Sequence, residues 1–494
     1  DYFYTVEALV DACASVASNE IAVSTADRVI WDGTAWNNVD GPNEAVNAEI
    51  AGDYNVEEDF VAKDLSVTTG SLTIQPGHSV TVHGALSQSA DDLITVESDA
   101  SLLQVEGSTH DGKTITVKRK AHVPANQYNL WSSPVVAQDL YALYGGAYPI
   151  PAGKVMEYIT KTDTFKPMAV GSKSESAKGY SALGLASSDV TAIFNGVPHN
   201  GPVSYNAGAN TGQGDGYNLI GNPYPSNFDL DKFYIENESQ LDVKIDDDNA
   251  GDNYFWDNTS NDDFGQWGSS YEGDNYAYYN FSSKSGVAAP RIGATKMPNN
   301  IIKPGQGFIV KLKNATASLS FDNTMRTAAN TGSVYFKTEA PKRYWLELTT
   351  PKQLIISTAV VYNEAAVNTY DKYDTAANTF ASDGFYTMTS NAKALSIQGR
   401  QDVNIKDDVV PVGIKAYEAG DYSIRFAKGD NIFADGQDVY LKDNSLNKIV
   451  KLTDAGYHFA LDKGVNTTRF EIVYQSKTLA VDAVNSQLCC KSEI

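Results

Sequence analysis

The side chains best suited to chemistry are carboxylates in one short acidic stretch. Asp246, Asp248, Asp252 and Asp257 surround Gly251. Ca²⁺ takes roughly six to eight oxygen ligands in flexible geometry, and carboxylates spaced around a glycine turn provide such ligands. The stretch therefore predicts a bound Ca²⁺, although the EF-hand pattern with its closing Glu is not met. The alternative interpretation is a solvated acidic loop without a ligand.

Aromatic residues crowd the stretch from 254 to 281, where they are interleaved with Asn, Asp, Gly and Ser. Rings can stack on the apolar faces of sugars, while amides and carboxylates bind the hydroxyl groups. Trp256, Trp267 and Tyr271 are therefore predicted ligand-binding residues for a glycan. The alternative is that the rings of this stretch fill the core of a β-sandwich.

The three cysteines lie at the two ends of the chain, Cys13 at one end and Cys489 with Cys490 at the other. Adjacent cysteines rarely bond each other, and an odd total leaves at least one thiol without an intramolecular partner. This placement predicts an intermolecular disulfide between Cys13 of one copy and Cys489 or Cys490 of the next. Such head-to-tail self-association propagates as a fibre when the contact does not close into a ring. The alternative is that Cys13 is a small buried hydrophobe and that the two adjacent cysteines belong to a disordered tail.

Motifs of known catalytic centres are missing from the sequence. The six histidines are scattered, and no H-E-x-x-H, G-x-S-x-G or phosphate-binding P-loop occurs. His78 and His83 are five residues apart, which suits either a metal pair or two solvent-exposed turn residues. Carboxylates are too abundant for their proximity to indicate a glycosidase pair. We therefore expect a protein that is not an enzyme, with a glycan hydrolase as the less favoured alternative.

Composition limits the class of partner. A net charge of -23 repels nucleic acid, so no nucleic-acid partner is expected. No apolar run reaches the ~18 residues of a membrane span. The counts of 29 Tyr and 38 Gly against 5 Met favour strands and turns over helices. A local exception to the negative charge is the basic patch V-K-R-K, which ends at Lys120.

The pattern of apolar residues predicts an all-β fold in several parts. We expect residues 1–26 to form a separate N-terminal segment, whose sequence is compatible with either a short helix or a strand. From 27 to 116, short apolar couplets alternate with turns, and Gly70, Gly77 and Gly84 follow at a step of seven residues. This spacing predicts a β-solenoid or β-roll, with an ordinary meander as the alternative.

The rest of the chain predicts two sandwiches. Residues 117–340 read as a large β-sandwich with insertions and no convincing helix, and 341–475 as an immunoglobulin-like sandwich, followed by a tail, 476–494. The first sandwich is organised around a predicted rigid corner, G-N-P-Y-P-S, that starts at Gly221. There Gly221 is expected to supply unusual dihedrals, while Pro223 and Pro225 forbid a helix.

Several motifs occur together in a characteristic order: G-Y-N-L-I-G-N-P-Y-P-S, K-P-G-Q-G-F-I-V-K, F-D-N-T-M-R, V-Y-L-K-D-N and T-R-F-E-I-V-Y. With these, the chain from Val29 to Asp482 resembles large surface proteins of Bacteroidota that are exported by the type IX secretion system and carry a type A sorting domain. The sequence D-x-x-D of Asp371 and Asp374, with Asp383, also resembles an element of that family. Turn capping is the alternative role for these three residues.

The resemblance implies all-β modules, export through the outer-membrane secretion machinery and usually no assigned enzymatic activity. L-A-V-D at 479–482 resembles the approach to the sorting domain, which is expected to be absent, removed or replaced here. We therefore expect a secreted or cell-surface structural or adhesion protein, including a subunit of an extracellular fibre or matrix. A carbohydrate-binding surface module is the alternative.

Overall fold

A computed structural model describes residues 28–123, 125–146, 148–185, 189–207, 214–242, 252–257, 276–293, 296–313, 317–329, 341–377 and 383–476, together with four short strands before residue 28. Within these ranges, no helix has the length and apolar character needed to cross a membrane. The predicted all-β fold, which starts with a solenoid and continues in sandwiches, is confirmed.

The N-terminal segment consists of strands in its described parts: β1 (Tyr2–Tyr4), β2 (Leu9–Val10), β3 (Cys13–Ala14) and β4 (Ile21–Val23). β1 pairs with β4 and β2 pairs with β3, both antiparallel. The sequence was compatible with either a helix or a strand in this segment, and its described parts form strands.

The solenoid is a stack of short strands in three sheets. The strands are β5 (Arg28–Trp31), β6 (Asn47–Ile50), β7 (Tyr54–Val56), β8 (Phe60–Ala62), β9 (Leu65–Val67), β10 (Leu72–Ile74), β11 (Ser79–Val82), β12 (Ala85–Gln88), β13 (Ile94–Val96), β14 (Ser101–Gln104), β15 (Thr109–His110) and β16 (Ile115–His122). Successive coils pair in parallel, in the orders β5-β6-β9-β12-β15, β7-β10-β13-β16 and β8-β11-β14. Parallel pairing excludes the meander, since a meander is antiparallel.

The seven-residue glycine step marks three consecutive corners of one coil. Gly70 precedes β10, Gly77 precedes β11 and Gly84 precedes β12. Gly70 and Gly77 have φ of +72° and +87°, which L side chains rarely adopt. Between these corners, alternate side chains point inward and are fully buried, among them Leu72, Ile74, Val80 and Val82. Each coil thus buries its apolar residues against the coils beside it.

The central region contains β17 (Tyr128–Ser132), β18 (Val155–Ile159), β19 (Thr164–Pro167), β20 (Gly179–Leu183), β21 (Asp189–Gly196), β22 (Val203–Asn206), β23 (Tyr217–Gly221), β24 (Asn227–Asp229), α1 (Leu230–Asn237), β25 (Asp252–Trp256), β26 (Tyr276–Asn280), β27 (Ser285–Val287), β28 (Arg291–Ile292), β29 (Ile301–Ile302), β30 (Gly307–Lys311), β31 (Ser318–Phe321) and β32 (Arg326–Thr327). Its two main sheets have the orders β17-β20-β18-β19 and β23-β30-β25-β26-β27.

The second of these sheets is buried on both faces. Leu219 and Ile309 pack in one cluster with Leu130 of the first sheet, whereas Ile220 and Phe308 pack with Phe233 of α1 on the other face. This alternation follows the two-residue period of a strand. The layers therefore run from the first sheet through the second sheet to α1.

Helix α1 corrects the prediction that the central region has no helix. Asp229 caps its N-terminus by accepting a 2.9 Å hydrogen bond from the Asp231 amide. Leu230, Phe233 and Asn237 are its buried residues, at helical spacing. Pro223 and Pro225 precede the cap, so they prevent a helix only before residue 229.

The C-terminal region contains β33 (Lys342–Thr349), β34 (Leu354–Asn363), β35 (Thr375–Ala376), β36 (Gly384–Met388), β37 (Ala394–Gln401), β38 (Val409–Ala416), β39 (Gly420–Asp430), β40 (Tyr440–Asp443), β41 (Lys448–Lys451), β42 (Tyr457–Leu461) and β43 (Gly464–Val473). They form one continuous sheet that also includes β28. β42 is its last strand, yet Phe459 of β42 lies 4.6 Å from Phe470 of β43, measured between ring centroids. The sheet therefore curls into two layers around one core.

The predicted domain boundaries remain predictions, and two ladders cross them. β16 starts in the last solenoid coil and continues through residue 117, where it pairs with β21 along eight residue pairs. β28 of the central region pairs with β34 of the C-terminal sheet. Hydrogen-bonded strands thus connect the three regions.

Candidate functional site

The corner that begins at Gly221 is held from within by one amide side chain. Asn222 is fully buried, and its Oδ1 accepts a 2.9 Å hydrogen bond from the Tyr224 amide. Its Nδ2 donates to the carbonyl oxygens of Ser226 at 2.7 Å and Ile302 at 3.2 Å. The side chain therefore replaces the backbone ladder that Pro223 ends.

Gly221 serves this corner for a different reason than the sequence predicted. Its φ is outside the left-handed region, so unusual dihedrals are not required. Instead, a Cβ atom there would lie 2.3 Å from Ser132 Cβ and 2.6 Å from the carbonyl oxygen of Gln306. Glycine is needed because two strands approach each other too closely for a side chain.

Beside the corner lies a buried arginine without a carboxylate partner among the described residues. Arg326 Nη2 donates to the carbonyl oxygen of Leu102 at 2.6 Å, and Nε donates to Ser226 Oγ at 3.1 Å. The guanidinium lies 4.9 Å from the ring centroid of Tyr224. Burial lowers the pKa of Arg326 to about 9. Neutral acceptors and an aromatic face thus stabilise the charge.

Arg326 belongs to a wider set of bonds that we call the solenoid joint, where the central region covers the last solenoid coil. Three more hydrogen bonds between the coil and the central region belong to the joint. The Leu102 amide donates to the carbonyl oxygen of Pro225 at 2.8 Å. Asn323 Nδ2 donates to the carbonyl oxygen of Val105 at 3.0 Å, and Asn200 Nδ2 donates to that of Ser108 at 2.7 Å. Covering a sheet edge in this way removes a surface that would otherwise pair with other chains.

A groove opens beside the solenoid joint, and we call it the basic groove. It encloses a cavity of about 430 Å³ lined by residues 119–122 of β16, residues 129–131 of β17, parts of β25 and β26, and the segment from 296 to 307. The solenoid contributes one wall, and the central sheets contribute the others. The volume suits a ligand of one or two sugar rings or similar size.

Positive charge dominates the lining of the basic groove. Lys120 and Lys296 are exposed and form no ion pair with any described residue. Arg119 is bonded to Asp99 at 2.8 Å. Asp257 is the acidic residue of the described lining, and it lies 3.5 Å from Arg291. A chain with 38 Lys and Arg against 61 Asp and Glu thus places in one cavity two cations that have no ion-pair partner in the described part of the chain.

The remaining lining is partly apolar and partly amide. Leu130, Met297 and Ile301 are half-buried and offer apolar surface. Gln306 Oε1 accepts a 3.2 Å hydrogen bond from the Lys303 amide, which leaves its NH₂ group to donate elsewhere. The described lining has no Ser, Thr or Cys nucleophile. The arrangement is therefore suited to binding an anionic, hydroxylated ligand.

The predicted calcium ligands are only partly described. Asp246 and Asp248 lie outside the described residues, and of Asp252 only the backbone, in β25, is described. The Asp257 carboxylate faces Arg291. Within the described ranges, no group of three or more His, Cys, Asp or Glu is placed to hold a metal ion, and His78 lies near Asp59 at 3.4 Å. Calcium binding remains a prediction.

Most of the predicted glycan-binding rings and of the cysteines also lie outside the residues that the structure describes. Trp267, Tyr271, Cys489 and Cys490 lie outside it, and Trp256 and Cys13 are described only as backbone positions of β25 and β3. The described rings of the same aromatic stretch, such as Tyr254, Phe255, Tyr278 and Tyr279, are buried in the central sheet. These four fill the core.

Three further aspartates hold backbone turns. Both oxygens of Asp374 accept 2.8 Å hydrogen bonds, from the amides of Asp371 and Gly399. Asp383 accepts from the Tyr417 amide at 2.8 Å. Burial raises the pKa of Asp374 to about 8. The hydrogen bonds fit the capping role that was the alternative for these residues.

One family model, described as "Domain of unknown function (DUF8693)", matches residues 30–474. The chain belongs to the DUF8693 family. Comparisons with curated proteins and with solved structures found no match. The DUF8693 match runs from the first solenoid strand to the end of the C-terminal sheet and includes every residue of the basic groove. The groove and the joint thus lie within the part of this chain that the family model matches.

Sequence reasoning identified one part of the basic groove and missed the rest. The V-K-R-K patch includes Arg119 and Lys120, and its charge was a readable signal. Lys296 and Gln306 are far away in sequence and carry no motif that indicates a site. Only the pairing of β16 with β21, and of β23 with β30, places these segments around one cavity.

Proposed function

We propose that this member of the DUF8693 family is an exported, non-catalytic adhesion protein that holds a surface ligand in the basic groove. The observation that carries the proposal is a pair of lysines, Lys120 and Lys296, that line the groove and pair with no carboxylate among the described residues, in a chain with net charge -23. A cleft of locally opposite charge concentrates ligands that the rest of the surface repels. The bound group is therefore an anion.

The bonds between the solenoid and the central region support a binding role because they fix the walls of the groove. The wall from β16 is bonded to the central region through β21, and Leu102 of the last solenoid coil is bonded through Arg326. A ligand that enters a preformed cavity does not have to order the protein first, so less free energy is lost on binding. An adhesion protein benefits from such a preorganised site.

The export part of the proposal is supported by sequence motifs. The motifs that resemble type IX secretion substrates include G-N-P-Y-P-S and F-D-N-T-M-R. These two motifs contribute Tyr224 and Arg326, which lie against each other at the solenoid joint. The partners in export are the components of the outer-membrane secretion machinery, and the destination is the cell surface or the surrounding matrix.

The experiment combines location with adhesion in cells that produce the chain. An antibody against the solenoid should label intact cells, and external protease should remove the label. Deleting the gene should reduce attachment of the cells to their matrix, and adding the purified chain should restore it. Labelling only after lysis, together with unchanged attachment of the deletion strain, would contradict the proposal.

A further inference from the structure

We infer that the ligand of the basic groove is an acidic oligosaccharide, in which carboxylate or sulfate groups are carried on sugar rings. The inference rests on the proposed function of the groove as a binding site and adds the chemical class of its ligand. Three features of the cavity support it: the charges, the amides and the apolar surface of its lining.

The charges require an anion of limited size. Lys120 lies on β16 and Lys296 on the segment from 296 to 307, so two separate parts of the chain each contribute a cation to the lining. Arg119 is also part of the lining, although it is bonded to Asp99, which lies 3.5 Å from Lys303. A long polyanion such as nucleic acid would contact the acidic surface outside the groove and be repelled. A short anionic segment avoids that repulsion.

The amides suit hydroxyl groups. Asn299 and Gln306 line the same cavity as the lysines, whereas Asn129 of the same lining donates from its Nδ2 to the carbonyl oxygen of His122 at 3.3 Å. An amide side chain both donates and accepts hydrogen bonds, as a sugar hydroxyl does. A simple inorganic anion would use the lysines and make no use of the Asn299 and Gln306 amides, whereas an acidic sugar engages both kinds of group.

The apolar part of the lining suits the faces of sugar rings. Leu130, Met297, Pro298 and Ile301 are half-buried along the groove, next to the buried Phe255. The C–H faces of a pyranose ring are apolar and are excluded from water when they lie on such surface. An acidic peptide offers carboxylates without these hydroxylated rings, and for this reason the sugar is the favoured ligand.

Calorimetric titration of the full chain tests the inference with matched probes. The acidic probes are a short oligogalacturonate and a sulfated oligosaccharide. The neutral controls are the methyl-esterified oligogalacturonate and the unsulfated parent, and oligoglutamate represents an acidic peptide. Binding of an acidic sugar is expected, and it should be at least about tenfold tighter than that of its neutral control, a difference of roughly 1.4 kcal/mol. Raising the salt concentration should weaken it.

A variant pair locates the site. Lys120→Gln with Lys296→Gln should weaken binding of the acidic sugar by about tenfold or more. Lys166→Gln with Lys406→Gln removes the same charge from exposed residues outside the groove lining, and it should bind normally. Equal melting temperatures of the two variants would show that both fold.

The outcomes separate the inference from the proposed function. Equal binding of acidic and neutral sugars, or binding of oligoglutamate alone, would overturn the inference and leave the groove as an adhesion site. Absence of binding to every probe would also overturn the inference. If cell attachment then also proved independent of Lys120 and Lys296, the proposed function would fail with it.

Discussion

The guanidinium of Arg326 donates a 2.6 Å hydrogen bond to the carbonyl oxygen of Leu102, and this bond connects the central region to the last solenoid coil. The two residues lie 224 positions apart in the sequence. The bond is buried, and the acceptors around Arg326 are a carbonyl, a hydroxyl and two amide oxygens. The planar guanidinium group of Arg326 therefore donates to several neutral acceptors of the joint at once.

Replacing Arg326 by Ala should destabilise the chain strongly. The substitution removes the arginine donor from the buried carbonyl of Leu102, whereas the amide oxygens of Asn200 and Asn323 keep other donors. A buried acceptor left unpaired costs about 1–3 kcal/mol, so we expect a loss of about that size in the free energy of unfolding. Urea titration monitored by tryptophan fluorescence measures it.

Arg326→Lys is the control for this prediction. Lysine keeps the charge but lacks the planar fork, so it should recover only part of the lost stability. An unchanged urea midpoint for Arg326→Ala would show that the joint does not depend on this side chain.

Replacing Gly221 by Ala should destabilise the corner through overpacking. The new Cβ would lie 2.3 Å from Ser132 Cβ, and backbone must move to accept it. Overpacking of this kind costs about 1–3 kcal/mol, occasionally more. Thermal unfolding of Gly221→Ala should show the loss, and adding Ser132→Gly should restore part of it because the nearest contact is removed.

Gly146→Ala is the matched control, since no atom lies within 4 Å of a Cβ at that position. It should leave the melting temperature almost unchanged. Equal effects of the two alanine substitutions would refute the explanation by close approach and leave loss of backbone freedom as the cause.

Acidification should lower the free energy of unfolding through His199. The side chain is buried, and burial lowers its pKa from 6.5 to about 4. Between these two values the unfolded chain binds a proton that the folded chain excludes. The free energy of unfolding therefore decreases as the pH falls through this window, by at most ~3 kcal/mol for one such group.

The contribution of His199 is obtained by comparison with His199→Asn, which does not titrate. Urea midpoints are measured for both chains at pH 6.5 and at about pH 4, the two pKa values of His199 in the unfolded and folded chain. The wild-type chain should lose more stability on acidification than the variant. Parallel losses would mean that other groups account for the whole pH dependence.

Calcium should raise the melting temperature if the acidic stretch from Asp246 to Asp257 binds it. A ligand that binds only the folded chain stabilises it by mass action. The melting temperature is measured with calcium and with a chelator, for the wild-type chain and for Asp246→Asn with Asp248→Asn. The shift should disappear in the variant, and identical curves for the wild-type chain in both conditions would end the prediction.

The solenoid was predictable because its signal is local. Gly70, Gly77 and Gly84 occupy neighbouring corners, so the length of one side of the coil appears directly as a repeat in the sequence. The same holds for the corner at Gly221, whose position was predicted correctly. The reason for the glycine was not, because the close approach of Ser132 depends on strands far apart in the chain.

Helix α1 and the basic groove show two different limits of prediction from the sequence. Helix α1 had a readable signal, Asp229 as a cap before Leu230 and Phe233, but the prolines upstream outweighed it. The groove had no such signal beyond its basic patch. Lys120 and Lys296 come together only through sheet pairing, which is set by tertiary packing and not by any local pattern.

The most direct test of the proposed function is the attachment of the purified chain to the matrix of cells that produce it. Three chains are compared: the wild type, Lys120→Glu with Lys296→Glu, and the control Lys166→Glu with Lys406→Glu. Charge reversal in the groove should abolish attachment, while the control, with the same net charge, should attach like the wild type. Equal attachment of all three chains would contradict it.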